Sequence, residues 1–272
     1  VQDQIGTNGG AGKGVIGGAS ITASEITAGG QVSRGTSTTA SDGDYDLVLT
    51  GYNGGPLLIS LNGGNGATMR CDVAAGCNGA TFGSDVLLPD TFQMQVLLPS
   101  VASSEDLASC ISPFTHLAAQ RAIEVAGSLD AVTTAIAREA LSEVGSLLAG
   151  IDVLRTCVID TTVLRGRSPH SNKDITLSAL SAAVLAVQGA TDPTAALATL
   201  VADFAGGEIA ASKLQALVSA ARDELQALNE SDASGVLAAM QLAVNNAGAG
   251  NVNPEPNAVS YTHLTLPTIS SV

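Results

Sequence analysis

The sequence predicts a β-then-α chain, in which an antiparallel β-sandwich of about seven strands (residues 13–100) precedes an all-α helical bundle (residues 101–250). In the first part, short runs of alternating apolar and polar residues are separated by glycine- and proline-rich turns about ten residues apart, as in β-sandwiches. In the second part, the apolar residues recur with the period of a helix. Glycine follows the same division, because 20 of the 30 glycines precede Ser84 and only eight lie between Ser84 and Ala247.

The clearest strand signal is the stretch Thr36–Gly51, where a threonine-rich run reaches Asp42-Gly43 and an alternating run leaves it. Asp-Gly tolerates the positive φ angles of a tight turn, and period-two apolarity lets one face of a strand lie against a core. We therefore predict that Thr36–Gly51 is the central β-hairpin of the sandwich. The side chains expected on its core face are Tyr45, Leu47 and Leu49.

The other strands of the sandwich follow from the same alternation and from the turn residues between them. The opening residues 1–12 are rich in glycine and polar side chains, so we expect them to be disordered. Residues 251–272 are expected to be an unstructured tail. The further predicted strands are Gly14–Ser24, Gln31–Thr39, Leu57–Leu61, Ala67–Val73 and Phe92–Leu98.

Capping signals and apolar stripes predict the helices of the second part. The first helix has Ser112 as its N-cap and Pro113 at its first position, and it runs to Gly127. The second is predicted to begin at Asp130 and to stop before Gly150. The remaining segments are residues 151–162 (helix, then loop), Leu177–Gln188, residues 192–207, Ala211–Leu228 and Ala233–Asn246.

The charge balance of the chain excludes several classes of partner. It has 11 Lys and Arg against 25 Asp and Glu, a formal charge of −14 and a pI near 4.3. Because this charge repels phosphate backbones and anionic lipid surfaces, nucleic acid is not an expected partner. Trp is absent and aromatic residues make up only 3%, so the chain has no stacking platform for bases or sugars. No apolar run approaches the roughly 18 residues of a membrane span, and no transmembrane segment is expected.

The four cysteines, Cys71, Cys77, Cys110 and Cys157, predict disulfides rather than a metal site. Zinc would require a Cys-x2-Cys pair or a nearby histidine, and neither is present. Among the possible pairings, the short loop between Cys71 and Cys77 favours a bridge there, with Cys110 and Cys157 forming the second. An even number of cysteines in an acidic chain indicates an oxidising compartment. The alternative is four reduced core cysteines in a cytoplasmic protein.

Three segments, GVIGGASITA, TSTTASDGDYDLVLTGY and PLLISL, carry a family pattern over residues 13–61. Together they resemble the carboxypeptidase-regulatory-like (transthyretin-like) β-sandwich. The resemblance ends after Leu61, where a cysteine loop replaces the family pattern. It implies an accessory or structural module of exported proteins that has no catalytic residues of its own. The core of the match, Asp-Gly-x-Tyr-x-Leu, consists of Asp42, Gly43, Tyr45 and Leu47.

Two further segments resemble known sequences. ISPFTHLAA (Ile111–Ala119), with the later ALATLVADFAGGEI, is similar to the helical part of large bacterial surface lipoproteins. This resemblance implies the bacterial outer membrane or periplasm and a lipid anchor upstream of Val1. VSYTHLTLPT (Val259–Thr268) resembles the translated end of a sequencing library, so residues 259–272 are expected to be an artefact.

The polar stretch before the third helix offers a candidate anion site. His170 lies there with Arg165, Arg167 and Lys173, and these three cations fall within nine residues of an otherwise acidic chain. They could hold an anion or a carboxylate of a partner. A solvated loop is the alternative.

The Asp-Gly turn offers a candidate calcium site. Asp42, Asp44 and Asp46 have calcium-like spacing around a glycine. Asp46 falls on a strand, however, and no bidentate glutamate follows at the right distance. We therefore favour a plain turn over a metal site.

No catalytic or cofactor motif stands in the context that it needs. Gly12, Gly14 and Gly17 satisfy G-x-G-x-x-G but open a strand instead of a helix, and Lys13 lacks the flanking residues of a P-loop. There is no G-x-S-x-G elbow, and His116, beside apolar residues in a helix, is interpreted as a core-edge histidine. No catalytic residue and no cofactor are expected.

These observations predict a non-catalytic module of the cell envelope or extracellular space, part of a surface lipoprotein. It would bind a protein or envelope component or space other domains. The alternative is a set of accessory domains of a secreted hydrolase whose catalytic part is missing from this chain. A cytoplasmic helical adaptor is a third hypothesis, which freely titrating thiols would reveal.

Overall fold

The computed structural model describes residues 5–102, 109–163 and 170–248 of the 272-residue chain. Strands occupy the first of these ranges and helices dominate the other two, so the β-then-α order predicted from the sequence is present. The candidate anion-site residues Arg165 and Arg167 lie outside the described residues. The predicted tail, residues 251–272, also lies outside them, as do residues 1–4.

Ten strands lie within the described residues and form three sheets. The strand orders are β10-β1-β5, β2-β7-β8 and β4-β3-β6-β9. Every ladder is antiparallel except that between β1 and β10, which is parallel. The strands are β1 (Ile5–Ala11), β2 (Ile16–Gly17), β3 (Ser20–Thr27), β4 (Gly30–Thr38), β5 (Asp44–Leu49), β6 (Leu57–Asn62), β7 (Thr68–Arg70), β8 (Asp85–Leu87), β9 (Gln93–Leu98) and β10 (Cys110–Ile111).

The glycine-rich start was predicted to be disordered, and this prediction is wrong for residues 5–11. They form β1, which pairs with β5 from Ile5 opposite Leu49 to Gly10 opposite Asp44. The glycines favour this pairing, because a Cβ atom at Gly9 would lie 2.2 Å from the ring of Tyr45. The ring therefore lies over the bare backbone of β1, a contact between strands that composition does not reveal.

The two arms of Thr36–Gly51 are not paired with each other, so the predicted central hairpin is wrong. β4 pairs with β3, while β5 pairs with β1, and the Asp42-Gly43 turn carries the chain from one sheet to another. Gly43 has the positive φ, 85°, that the prediction required. The sequence pattern predicted β4 as the partner of β5, but the structure has β1 in that position. The predicted core face of β5 is confirmed, and its buried side chains are Tyr45, Leu47 and Leu49.

The predicted strand Gly14–Ser24 is divided in two, because Gly18 takes a positive φ of 73° between β2 and β3. β6 and β9 lie close to their predicted positions. β6 is buried on both faces, as expected for a strand in the interior of a sheet.

Six helices lie within the described residues. The first matches its prediction, since Ser112 accepts a hydrogen bond from the N–H of Thr115 and Gly127 ends the helix with a left-handed φ of 78°. The helices are α1 (Pro113–Ala126), α2 (Thr134–Leu147), α3 (Asn172–Ala186), α4 (Pro193–Asp203), α5 (Ala211–Ala227) and α6 (Val236–Gly248).

Three helix predictions need correction. Asp130 lies in a 3-10 turn, and Thr133 caps α2 instead. Residues 151–160 form turns without an α-helix, and Asp152 there accepts a hydrogen bond from the N–H of Leu154. The third helix begins earlier than predicted, at Asn172, because Ser171 and Asp174 form a capping box.

The sheet β4-β3-β6-β9 contacts strands on one face and helices on the other. Ile59 of β6 belongs to a large hydrophobic cluster that also contains Leu47 of β5 and extends to Leu180 of α3. The neighbouring Leu58, on the opposite face, packs with Ala119 of α1 in a second cluster. Small alanine side chains let α1 approach the sheet closely. Within the three described ranges, no helix is both long and apolar enough to cross a bilayer.

Candidate functional site

The disulfide loop, residues 71–77, follows β7 and is closed by a bond between Cys71 and Cys77. Its backbone reaches the helical part of the chain, where the N–H of Ala74 donates to Oε2 of Glu224 over 2.8 Å. Just after the loop, the N–H of Asn78 donates to the carbonyl oxygen of Ala190 over 2.7 Å. The loop therefore connects the strands to α5 and to the segment after α3.

The second disulfide joins Cys110 of β10 to Cys157. The N–H of Cys110 donates to the carbonyl oxygen of Leu154, and the N–H of Cys157 donates to Asp174 in the first turn of α3. The pairing is the one that the cysteine spacing favours. Both disulfides lie where the sheets meet the helices, although the spacing alone did not place them there.

Three charged side chains, Lys13, Asp72 and Glu224, form a buried charge cluster beside the disulfide loop. Lys13 is 0% exposed, Asp72 4% and Glu224 6%. The Nζ atom of Lys13 lies 3.2 Å from Oδ1 and 3.4 Å from Oδ2 of Asp72. Burial of charges is costly unless they are paired, and this cluster holds two carboxyl groups but only one ammonium group, which pairs with Asp72.

The charges of Lys13 and Asp72 both affect the pKa of Glu224. Burial raises the pKa of its carboxyl, the hydrogen bond from Ala74 opposes that increase, and the charge of Asp72 raises the pKa further while that of Lys13 lowers it. The net shift is upward. Glu224 is therefore a carboxyl that can take and release a proton nearer to neutral pH than an exposed glutamate.

An open groove of about 740 Å³ lies between the disulfide loop and α3 and α5; we call it the loop groove. Its walls consist mainly of small side chains and backbone, such as those of Gly76, Ala190 and Ala220. Asp223 and Glu224 supply its negative charge. The groove and the buried charge cluster share Glu224, so the two features form one region.

A second groove, of about 820 Å³, brings together residues from both predicted sites; we call it the aspartate groove. Asp42, Asp44 and His170 line it, although in the sequence they belonged to two separate candidates, a calcium site that was less favoured than a plain turn and an anion site. Desolvation, then the charges of Asp42 and Asp46, raise the pKa of the Asp44 carboxyl. Asp42 accepts a hydrogen bond from the N–H of Asp44 over 3.2 Å, as in a plain turn.

Among the described residues that line the aspartate groove, Arg70 carries a positive charge. Its Nη1 atom donates to Oδ2 of Asp160 over 2.9 Å. Lys173 is exposed in the first turn of α3. Among the residues that the structure describes, no three His, Cys, Asp or Glu side chains converge as a metal site requires.

His116 is buried in the first turn of α1, away from both grooves. Its Nδ1 atom has no hydrogen-bond partner among the described residues. Burial lowers the pKa of the imidazole to about 4. His116 is therefore a neutral side chain at neutral pH, in agreement with its interpretation as a core-edge histidine.

Sequence reasoning missed the buried charge cluster. The P-loop comparison involves Lys13 alone, and no motif in the sequence includes Asp72 or Glu224. The one signal in the sequence is that Lys13 lies between two glycines and is followed by the apolar residues Val15 and Ile16. A charged side chain in such a segment is expected to have little contact with solvent. Its partners lie far along the chain, where no spacing rule applies.

Comparison of the chain with protein-family models, curated proteins and solved structures found no match. The described residues define a disulfide-linked protein in which three mainly antiparallel sheets precede six helices. The buried charge cluster lies where sheets and helices meet.

Proposed function

We propose that this chain is a non-catalytic module of an exported protein and serves as a structural or binding part of the cell envelope or extracellular space. The observation that carries the proposal is the position of the two disulfides. Cys71–Cys77 fixes the loop that contacts α5, and Cys110–Cys157 fixes the segment that leads to α3. Both therefore reinforce the contact between strands and helices.

An oxidising compartment explains why a protein would use such bonds. Disulfides persist in secreted and periplasmic proteins, whereas cytosolic thiols are kept reduced. Cys71, Cys77 and Cys110 are buried, which protects their bonds from exchange with external thiols. The resemblance of residues 13–61 to the carboxypeptidase-regulatory-like module supports the same compartment.

We further propose a finer architecture, a β-sandwich followed by a helical bundle. Ile21 of β3 and Leu47 of β5, from different sheets, belong to the same hydrophobic cluster, which supports two sheets packed face to face. For the bundle, α3 is buried on ten consecutive residues from Thr176 to Leu185 and contacts α4, α5 and α6. A helix buried on all sides is typical of the centre of a bundle.

The resemblance to surface lipoproteins supports an attachment to the bacterial outer membrane through a lipid. The charge of −14 suits a module that remains dissolved beside the membrane. The proposed partner is a protein or another component of the envelope.

The test is fractionation of the cells that carry the natural gene, with thiols trapped at lysis by a maleimide mass tag. We expect the protein in the envelope or extracellular fraction, with no tag added until a reductant is supplied. A cytoplasmic protein of the same cells, which must stay in the soluble fraction and accept tags, is the control. Recovery in the cytoplasmic fraction with four tagged thiols would overturn the proposal.

A further inference from the structure

We propose that Lys13 and Asp72 join through an intramolecular amide bond, with Glu224 carrying the protons that its formation requires. The bond would be an isopeptide cross-link between the segment after β1 and the disulfide loop. This inference is independent of the compartment and role proposed above, because it concerns only the chemistry of the buried charge cluster.

The geometry places an amine directly against a carboxyl group. Nζ of Lys13 lies within 3.2 and 3.4 Å of the two carboxylate oxygens of Asp72, so the carbon between those oxygens is close to the nitrogen. The fold thus holds the amine and the carboxyl group together, so amide formation becomes an effectively unimolecular step. Effective concentrations of about 10⁵–10⁸ M are known for well-oriented groups in such reactions.

The backbone on both sides holds the two residues in place. A Cβ atom at Gly14 would lie 2.0 Å from the carbonyl oxygen of Arg70, so only glycine lets the chain after Lys13 approach the strand that leads to Asp72. The N–H of Arg70 also donates to the carbonyl oxygen of Val15 over 2.8 Å. Asp72 is further fixed by the disulfide at its neighbour, Cys71. The pair is therefore preorganised on a rigid support.

Burial favours the amide over the ion pair. Lys13 has no exposed surface and Asp72 has almost none, so neither charge keeps its hydration shell. An amide carries no charge and needs only ordinary hydrogen bonds in such a place. The reaction also expels a water molecule from a dry site, which opposes hydrolysis of the product.

The reaction balances without any further reagent. Transfer of one proton from Nζ to Asp72 gives a neutral amine and a carboxylic acid. The nitrogen lone pair then attacks Cγ of Asp72, Glu224 removes a proton from the nitrogen and returns it to the departing hydroxyl, and water leaves. One C–N bond forms and one C–O bond breaks, and no oxidant, reductant or cofactor is consumed.

Glu224 is the group assigned to this proton transfer. Its Oε2 atom accepts the N–H of Ala74, two residues after Asp72, which holds the carboxyl against the disulfide loop. It is itself buried, and the charges of both Lys13 and Asp72 act on it. The raised pKa of Glu224 suits a group that must both accept and return a proton.

The primary test is the intact mass of the wild-type chain after its disulfides are reduced and its thiols alkylated. We expect a mass lower by one water molecule than that calculated for the sequence with four alkylated cysteines. A tryptic digest should then contain a branched peptide that joins the segment of Lys13 to the segment of Asp72. A full sequence mass, with separate linear peptides, would overturn the proposal and leave a buried ion pair.

Matched variants test the assignment of each residue. Lys13→Arg keeps the positive charge but should restore the full mass, because the guanidinium group does not form the amide. Asp72→Asn should still cross-link, now with loss of ammonia instead of water. Glu224→Gln should leave most of the protein uncrosslinked while its two disulfides form normally, and unchanged cross-linking in this variant would remove Glu224 from the mechanism.

The wild-type mass remains decisive even where a variant fails to fold. A second measurement needs no variant either, because a cross-link between positions 59 residues apart closes a loop that persists in denaturant. The reduced, denatured wild-type chain should migrate faster on a denaturing gel than Lys13→Arg. A fragment spectrum that joins Lys13 to Glu224 instead would also contradict the assignment.

Discussion

The backbone N–H of Ala74 donates a hydrogen bond to Oε2 of Glu224, and this contact joins the disulfide loop to α5 across 150 residues of sequence. The loop is closed by Cys71 and Cys77, so its amide groups point in fixed directions. The carboxylate that receives one of them also belongs to the buried charge cluster. A single loop thus links a disulfide, a charged interior and the contact between strands and helices.

The two disulfides should contribute unequally to stability. In the loop-entropy model, a bridge that spans 47 residues contributes about 4 kcal/mol and one that spans six about 2 kcal/mol. We expect the double variant Cys110→Ser/Cys157→Ser to lower the free energy of unfolding more than Cys71→Ser/Cys77→Ser. Urea unfolding at neutral pH, followed by circular dichroism, measures both. Equal losses in the free energy of unfolding would show that removing the Cys71–Cys77 bond also disrupts contacts of the disulfide loop, which would make up for its smaller loop entropy.

His116 should make the protein less stable in mild acid. Its pKa is about 4 in the folded chain and near 6.5 when unfolded, so between these values the unfolded state binds a proton that the folded state does not. Stability should therefore fall as the pH decreases from 6.5 to 4, by up to roughly 3 kcal/mol. In His116→Leu this component should vanish. The imidazole NMR signals of the native protein should titrate near pH 4, and a midpoint near 6.5 would contradict the prediction.

Glu25 should stabilise the fold as a buried carboxylate. It is 1% exposed, and it accepts hydrogen bonds from the N–H groups of Asn53 and Gly55 and from Arg34, whose Nε atom lies 2.7 Å away. Burial alone would raise its pKa, but the bonds from Gly55, Asn53 and Arg34 outweigh burial and lower it. Glu25→Gln should cost about 2 kcal/mol at neutral pH.

The sign of the pH effect at Glu25 follows from its lowered pKa. Its contribution is present above the ordinary carboxyl pKa of 4.5 and is lost as the pH falls through the lower folded-state pKa. Wild type and Glu25→Gln should therefore converge in stability on acidification. Glu139→Gln, on the exposed face of α2, is the control for loss of one negative charge. A constant difference between wild type and Glu25→Gln down to the acid limit would refute this account.

Two adjacent glycines of β1 should respond differently to the same substitution. A Cβ atom at Gly9 would lie 2.2 Å from the Tyr45 ring, whereas the nearest atom to a Cβ at Gly10 is 3.9 Å away. Gly9→Ala should cost about 1–3 kcal/mol, because the buried ring has to move. Gly10→Ala should stay within about 0.5 kcal/mol of wild type. Thermal unfolding of both variants checks this, and an equal effect would place the Tyr45 ring elsewhere.

The sequence alone determined the features that depend on neighbouring residues. The alternation of Tyr45, Leu47 and Leu49 fixed which face of β5 is buried, because successive side chains of a strand point to opposite sides. Ser112 and Gly127 marked both ends of α1 through capping rules that act within one turn. The short spacing of Cys71 and Cys77 likewise predicted a bonded loop.

Only the tertiary structure decided which elements pair and which charges meet. β5 pairs with β1 instead of β4, since a ladder partner is selected by burial of a whole surface, which local alternation does not encode. Lys13 meets Asp72 across 59 residues, and Glu224 reaches the same loop from a helix much further along the chain. Such contacts form because the packed core brings distant segments together and excludes water from their side chains. The chemistry proposed for the buried charge cluster therefore belongs to the folded chain alone.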